Sequence, residues 1–287
     1  MASPNQTSRT FTLNTGGKIP AIGLGTWQSK PNEVKAAVEA ALRAGYRHID
    51  TAFDYGNEKE VGEGIKASGV PRDQIWLTTK LDNPWHKRVS EGLATSLESL
   101  GTDYVDLYLI HWPSSTTPED LKKHYEDWDF RDTWREMQKL VGDGRVRNIG
   151  VSNFGIKNLE KLLNDLSCKI IPAVNQIELH PGNPSPKLHW LFVSWLHRLP
   201  LYTNETLLNI AKAKGKTPQQ VLLLWGLQKG WSVIPKSVTP SRIEGNLELD
   251  GWELSEEEIR GIDGIKDRFK VCGDDWLPIK VFFGDDE

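Results

Sequence analysis

Residues 22–27 read Ile22-Gly-Leu-Gly-Thr-Trp27, and this stretch decides between two folds. An apolar run leading into paired glycines is where a doubly wound dinucleotide-binding sheet turns from its first strand into its first helix. That turn needs three glycines in a G-x-G-x-x-G pattern, for the tight bend, the approach of a pyrophosphate and the packing of helix on strand. Gly23 and Gly25 are present but no third glycine follows, so the fingerprint is absent. The alternative for a chain that alternates strand and helix is a closed (β/α)8 barrel.

Outward from this point the alternation is regular. Before it, Thr10–Leu13 and Lys18–Ala21 read as a pair of strands. After it, Pro31–Ala44 places Val34, Ala37, Val38, Ala41 and Leu42 on one helical face, with Gly45 just past the end. Strand-like runs follow at Tyr46–Asp50, Ile75–Lys80, Asp103–Ile110, Arg145–Val151, Ala173–Glu178 and Trp231–Pro235. Helical runs lie between and after them at Glu58–Ser68, Lys87–Leu100, Arg131–Val141, Ile156–Leu166, Thr206–Ala213, Thr217–Gln228 and Glu256–Ile262. Seven parallel strands are legible, and an eighth closes a barrel. No linker or repeat divides the 287 residues, so one barrel domain over 1–287 is expected.

Composition excludes several function classes. Hydrophobic residues make up 38% and charged residues 26%, which argues for a packed core rather than disorder. No apolar run is long enough for a transmembrane helix, and the opening MASPNQTSRT lacks the apolar region of a secretory signal. A net charge of −4 without a basic run argues against nucleic acid or a membrane surface as partner. Cys168 and Cys272 make neither a disulfide framework nor a metal site, so no metal and a reducing, cytoplasmic setting are expected. The chain holds 12 Trp, an excess that asks for a use.

In a barrel the C-terminal ends of the strands converge on one mouth. Those ends carry Thr26-Trp27, Asp50, Lys80, His111-Trp112, Ser152-Asn153, Asn175-Gln176 with Glu178, and Lys236-Ser237. One polar residue there can be a satisfied core histidine or a cap. Strand after strand ending this way is hard to explain by packing.

These residues resemble the aldo-keto reductases, in wording of the fungal aldose or carbonyl reductase type. The matching stretches are GLGTW from Gly23, HIDTAFDYGNEKEVG from His48, TTK ending at Lys80, LYLIHWP around His111, NIGVSNF from Asn148, NQIELHP from Asn175 and VIPKSVTPSRIEGN from Val233. The resemblance runs from Phe11 to about Asp267. It implies a (β/α)8 barrel with an N-terminal hairpin and a C-terminal loop. It also implies reduction of aldehydes and ketones with NADPH, and a monomer acting on a small carbonyl substrate.

By resemblance, Tyr55 is the general acid, with Asp50, Lys80 and His111 beside it. The chemistry is coherent: hydride delivered to a carbonyl carbon leaves an alkoxide that needs a proton. A tyrosine, pKa near 10, is protonated at neutral pH. A lysine beside it is expected to stabilise the phenolate and lower that value, with Asp50 holding the lysine. His111 is placed to donate a hydrogen bond to the carbonyl oxygen. Taken singly, Tyr55 reads equally well as a rim aromatic, and Asp50–Lys80 as a structural ion pair.

The same resemblance assigns Thr26, Trp27, Asp50, Ser152, Asn153 and Gln176 to NADPH/NADP+, the last three holding the nicotinamide amide. Side-chain amides and hydroxyls offer both donors and acceptors, as a carboxamide requires. Lys236, Ser237 and Arg242 match a clamp on the 2′-phosphate, whose two cations and a hydroxyl suit a dianion. Asn246 matches an adenine contact, and Gly245 stands where many relatives carry an acidic residue. Trp27, His111 and Trp112 are assigned to substrate, with Trp85, Trp128 and Phe130 as further candidates for the mouth and Asp82 altering its polarity. The tail from Val271 to Glu287, with Trp276, is expected to fold over the mouth.

The resemblance fails between His180-Pro181 and Thr206. Relatives carry a helix there and a seventh strand ending in a Tyr-Ser-Pro-Leu-Gly type segment, whose Tyr stacks on the nicotinamide. This chain has Lys187-Leu-His-Trp-Leu-Phe-Val-Ser-Trp-Leu-His-Arg-Leu-Pro200, shorter and without that motif. A barrel lacking the strand would have two unpaired edges. Trp190–Leu196 is apolar enough to replace the strand, and Tyr202 is a poor stand-in for the stacking aromatic. The second functional reading is therefore a catalytically impaired barrel with a binding or regulatory role.

Overall fold

The structure, a computed structural model, describes residues 8–185, 187–188, 192–194 and 200–283. Two antiparallel strands open the chain, β1 (Thr10–Thr12) and β2 (Lys18–Pro20), in register Phe11 with Ile19. Eight parallel strands follow in sequence order. They are β3 (Leu24–Gly25), β4 (His48–Asp50), β5 (Trp76–Leu81), β6 (Leu107–Ile110), β7 (Ile149–Ser152), β8 (Asn175–Ile177), β9 (Phe192–Ser194) and β10 (Ser232–Val233). The sheet closes on itself. Gly23 N donates to Val233 O at 2.9 Å, Gly25 N to Pro235 O at 3.0 Å, and Val233 N to Ala21 O at 2.8 Å.

The gap in the resemblance is therefore not a gap in the barrel. Phe192–Ser194 pairs through its backbone with Asn175–Ile177 on one side and Ser232–Val233 on the other. The two unpaired edges expected from the shortened segment do not occur. A chain buried between two strands must satisfy its backbone polar groups, and three residues of extended chain suffice at this position. Trp190, Trp195 and Leu196, which the sequence reading grouped with this strand, lie outside the described residues.

Helices cover the sheet: α1 (Pro31–Ala44), α2 (Glu58–Ser68), α3 (Val89–Leu100), α4 (Phe130–Lys139), α5 (Ile156–Leu163), α6 (Glu205–Lys214), α7 (Pro218–Gln228), α8 (Pro240–Gly245) and α9 (Glu256–Asp263). Their ends are written locally. α1 has Pro31 in its first turn and ends at Gly45, whose φ of 115° an L side chain rarely adopts. Thr217 and Gln220 form a reciprocal capping box on α7, and Asp129 and Asp132 do so on α4. The first strand residues of the Asp103–Ile110 run are not sheet. Val105 makes an isolated parallel bridge with Val146, the Asp106 carboxylate accepts from Leu77 N at 3.0 Å and the guanidinium of Arg147 at 2.8 Å, and the continuous strand starts at Leu107.

The main core lies between sheet and helices, with Trp134 and Trp225 among its fully buried side chains. A second cluster of Leu13, Ile19, Leu107, Leu109, Ala173, Val174 and Ile234 fills the barrel beneath the site, stoppered by the hairpin. A third, at the opposite end, joins Trp112 to Leu277 and Val281 of the tail. No described helix is long and apolar enough to cross a membrane.

Candidate active site

The mouth holds a cavity of about 300 Å³, walled by Trp27, Trp112 and Trp276 and floored by Asp50, Tyr55 and His111. Each floor residue arrives on a different element. Asp50 ends β4, Lys80 lies on β5, His111 follows β6, and Tyr55 closes a 3-10 turn, Phe53–Tyr55. Gly56 ends that turn with φ 64°, a left-handed value that favours glycine.

Lys80 is 1% exposed and makes three bonds through Nζ. It donates to Asp50 Oδ1 at 2.7 Å, to Thr51 O at 2.7 Å and to the Tyr55 hydroxyl at 3.3 Å. Burial pulls the lysine pKa down, and the Asp50 carboxylate opposes that shift. The other carboxylate oxygen of Asp50 accepts from Gln176 Nε2 at 2.7 Å.

Tyr55 differs from the sequence expectation in one respect. Its pKa is not lowered but stands well above 10, chiefly through burial and then through the negative charge of Asp50. Asp50 neutralises the ammonium that was expected to favour the phenolate, and desolvation does the rest. The phenol is thus held firmly protonated. His111 lies edge-on to the Tyr55 ring with centroids 5.6 Å apart. Burial first, then Lys80 and His86, push its pKa well below 6.5, so it is a neutral imidazole at neutral pH.

Ser152, Asn153 and Gln176 line the same cavity. Asn153 Nδ2 donates to His111 O at 2.9 Å and to Ser152 Oγ at 3.2 Å, and Ser152 Oγ donates to Gln176 O at 3.0 Å. Asn153 has φ 61°, a conformation asparagine tolerates better than most residues. Thr26 does not face the cavity. Its hydroxyl donates to Asp50 O at 3.1 Å, at the end of the neighbouring strand.

At the far end, Lys236 lines the cavity while Arg242 is exposed on α8. Ser237 Oγ accepts from Thr239 N at 3.1 Å and so shapes the turn into that helix. Asn246 is 3% exposed, and its side chain lies against the buried Tyr46 hydroxyl. Lys236 on the cavity wall, followed in the chain by the Ser237 hydroxyl and the exposed Arg242, is a donor set that fits an anionic group. Tyr202 sits in the turn Pro200–Thr203, within electrostatic reach of Arg242, and is not part of the cavity wall. Its place gives no support to Tyr202 as the aromatic stacked on the nicotinamide.

Three candidates for the mouth are not there. Trp85 packs edge-on against Phe53 at 5.6 Å, Trp128 Nε1 donates to Thr133 Oγ1 at 3.0 Å, and Phe130 is buried against Phe154 at 5.1 Å. Asp82 is not in the cavity wall either, and it accepts from Asn83 N at 2.7 Å. Burial and the nearby charge of Asp54 push its carboxyl up to about 6. Asp54 lines the cavity instead, a residue the sequence reading missed. Its signal was its place beside Tyr55 in one short turn, which puts both side chains on the same rim. Cys272 and Trp276 enter the wall from the tail.

Residues 21–191 and 197–267 match the model of the "Aldo/keto reductase family". The chain is 40% identical over 311 residues to the glycerol 2-dehydrogenase (NADP(+)) of Saccharomyces cerevisiae, covering 98% of this chain and 99% of that one. It is 43% identical over 275 residues to the D-galacturonate reductase of Hypocrea jecorina, covering 87% and 88%. Among solved structures it resembles the aldose reductase of Schistosoma japonicum, with a TM-score of 0.85, 37% identity, and coverage of 92% and 94%. A closed (β/α)8 barrel with a buried Asp–Lys–Tyr network at its mouth, matched in sequence and fold over nearly its whole length, identifies this chain as an enzyme of the aldo/keto reductase family.

Proposed function

We propose that this chain reduces the carbonyl group of a small aldehyde or ketone with hydride from NADPH, and that Tyr55 supplies the proton. The observation that carries the reading is the Tyr55 hydroxyl, 3.3 Å from the buried Lys80 ammonium on the floor of a Trp-walled cavity. Bound NADPH would supply the hydride. Lys236, Ser237 and Arg242 would hold its 2′-phosphate, Asn246 its adenine, and Ser152, Asn153 and Gln176 its carboxamide, with Trp27 beside them.

The chain's own residues handle the proton. His111, neutral, donates an N–H to the carbonyl oxygen and aligns it with the Tyr55 hydroxyl. As negative charge grows on that oxygen, Tyr55 Oη gives up its proton, because an alkoxide is far more basic than even this perturbed phenolate. The Lys80 ammonium, 3.3 Å away, steadies the phenolate formed, and Asp50 keeps Lys80 in place. Trp27, Trp112 and Trp276 exclude water and bind the apolar part of the substrate.

Tyr55→Phe removes the acidic hydroxyl, and with it one acceptor of Lys80, and keeps the ring. General acid catalysis contributes about 10²–10⁴-fold, so kcat for 4-nitrobenzaldehyde should fall by that much while NADPH affinity, read by Trp fluorescence, stays within about twofold. Retention of full turnover would sink the assignment.

A further inference from the structure

Glu178 lies just beyond β8 and is 2% exposed. Side chains alternate along a strand, so it shares a side with Gln176, two residues before it. Gln176 reaches Asp50, whereas Glu178 reaches the C-terminal tail. Its Oε1 accepts from Val271 N at 2.8 Å and its Oε2 from Cys272 N at 2.7 Å. Oε1 also meets His180 Nε2 at 2.7 Å. His180 Nδ1 accepts from Gly182 N at 3.1 Å, so in the neutral ring the proton is on Nε2 and is donated to Glu178. Burial raises the Glu178 carboxyl, but the bonds from His180, Cys272 N and Val271 N outweigh it and hold the group below its ordinary range.

The neighbouring contacts serve the same junction. The His180 ring stacks on Phe269 with centroids 4.5 Å apart, Phe269 N donates to Gly182 O at 3.1 Å, and Arg268 donates to Pro181 O at 3.0 Å. Beyond Cys272 the tail is tied to itself, Asp274 accepting from Val281 N at 2.6 Å and Phe282 N at 2.8 Å, and to α5, where Asn158 Nδ2 donates to Val281 O at 3.1 Å. This self-tied unit carries Trp276 edge-on to Trp112 at 5.4 Å, forming the substrate wall. The carboxylate is thus buried where the tail enters the site, and it bonds two consecutive N–H groups of that tail.

We propose that Glu178 is a positioning residue for the substrate end of the cavity, setting the placement of Cys272 and Trp276 over Tyr55 and His111 and thereby the choice of carbonyl substrate. The proposal rests on the carbonyl-reduction reading. Glu178 touches no reacting atom. It acts through the tail, and its loss should alter binding of substrates large enough to reach Trp276.

The test is Glu178→Gln in the full chain. The glutamine amide can accept at only one end and turns an N–H group toward a tail N–H. Loss of one charge-assisted bond is worth about a tenfold change in an equilibrium. Deuterium exchange of tail residues 273–283, none of which hydrogen-bonds Glu178, should quicken by about that factor, with α1 (31–44), which packs on α2 and α8, unchanged as control. KM for 4-nitrobenzaldehyde should rise by a similar factor, with kcat, KM for propanal and NADPH affinity within about threefold. Unchanged tail exchange in a folded variant overturns the proposal, as does an equal loss for both aldehydes. Should Glu178→Gln not fold, Val271→Pro, which deletes one donated N–H and keeps the carboxylate, must give the same exchange and KM pattern, and failure there overturns it too. A wild-type chain that reduces neither aldehyde would sink the reduction reading, and the exchange result would still decide whether Glu178 holds the tail.

Discussion

The Lys80 ammonium lies 2.7 Å from Asp50 Oδ1, with side-chain exposures of only 1% and 3%. A buried pair of this kind is costly to create, and costlier to break from one side. Asp50→Asn leaves a buried ammonium with the Thr51 carbonyl and the Tyr55 hydroxyl as its described partners. The loss should be about 3–5 kcal/mol of stability, read as a shift of the urea midpoint. Adding Lys80→Met should restore part of it, while activity stays lost in both. A double variant less stable than Asp50→Asn alone would show that Lys80 is not the stranded charge.

Arg242 and Lys236 bear on cofactor choice. If both meet a 2′-phosphate, Arg242→Ala removes a charge-assisted contact that NADH never makes. Arg242 is exposed, so solvent screening reduces the effect, and about a tenfold weakening of NADPH is expected. NADH affinity should stay within about twofold. Equal weakening of both, measured by Trp fluorescence titration, would remove Arg242 from the phosphate site.

His86 sets part of the acid sensitivity. It is fully buried with Nδ1 2.8 Å from Ser115 Oγ, and burial, helped by His124, brings its pKa down to about 3. The unfolded chain binds this proton below about 6.5, whereas the folded chain refuses it until about 3. The native state is therefore favoured above pH 6.5, and that advantage is lost as pH falls from 6.5 toward 3. Each such group contributes a slope of about 1.4 kcal/mol per pH unit within this window. His48 is depressed to about 3 by burial and then Lys80 and acts in the same direction, while Asp82, raised to about 6, opposes it below that pH. Urea unfolding of the wild type and His86→Asn between pH 6.5 and 4.5 should therefore differ in slope by about one proton. Parallel curves would mean that His86 is protonated in the fold.

Much of the molecule is legible in its sequence, for local reasons. The period of the apolar residues dictates α1 and its buried face, and Gly45 and the capping pair Thr217 and Gln220 mark helix ends within a few residues of chain. Strand ends reveal candidates because a parallel barrel gathers them at one mouth, which is why Asp50, Lys80 and His111 could be grouped before any distance was known. What tertiary structure alone decided concerns partners distant in sequence. An apolar stretch at 192–194 becomes a strand because β8 and β10 offer unpaired backbone on both sides, and composition cannot tell that from a break. The Tyr55 pKa rises rather than falls because desolvation and Asp50 outweigh Lys80, a balance that depends on burial and not on residue type. Asp54 lines the cavity while Asp82 does not, and Glu178 grips Val271 and Cys272 across more than ninety residues. Electrostatic energies and hydrogen bonds depend on distances through space, and the chain's own order does not contain those distances.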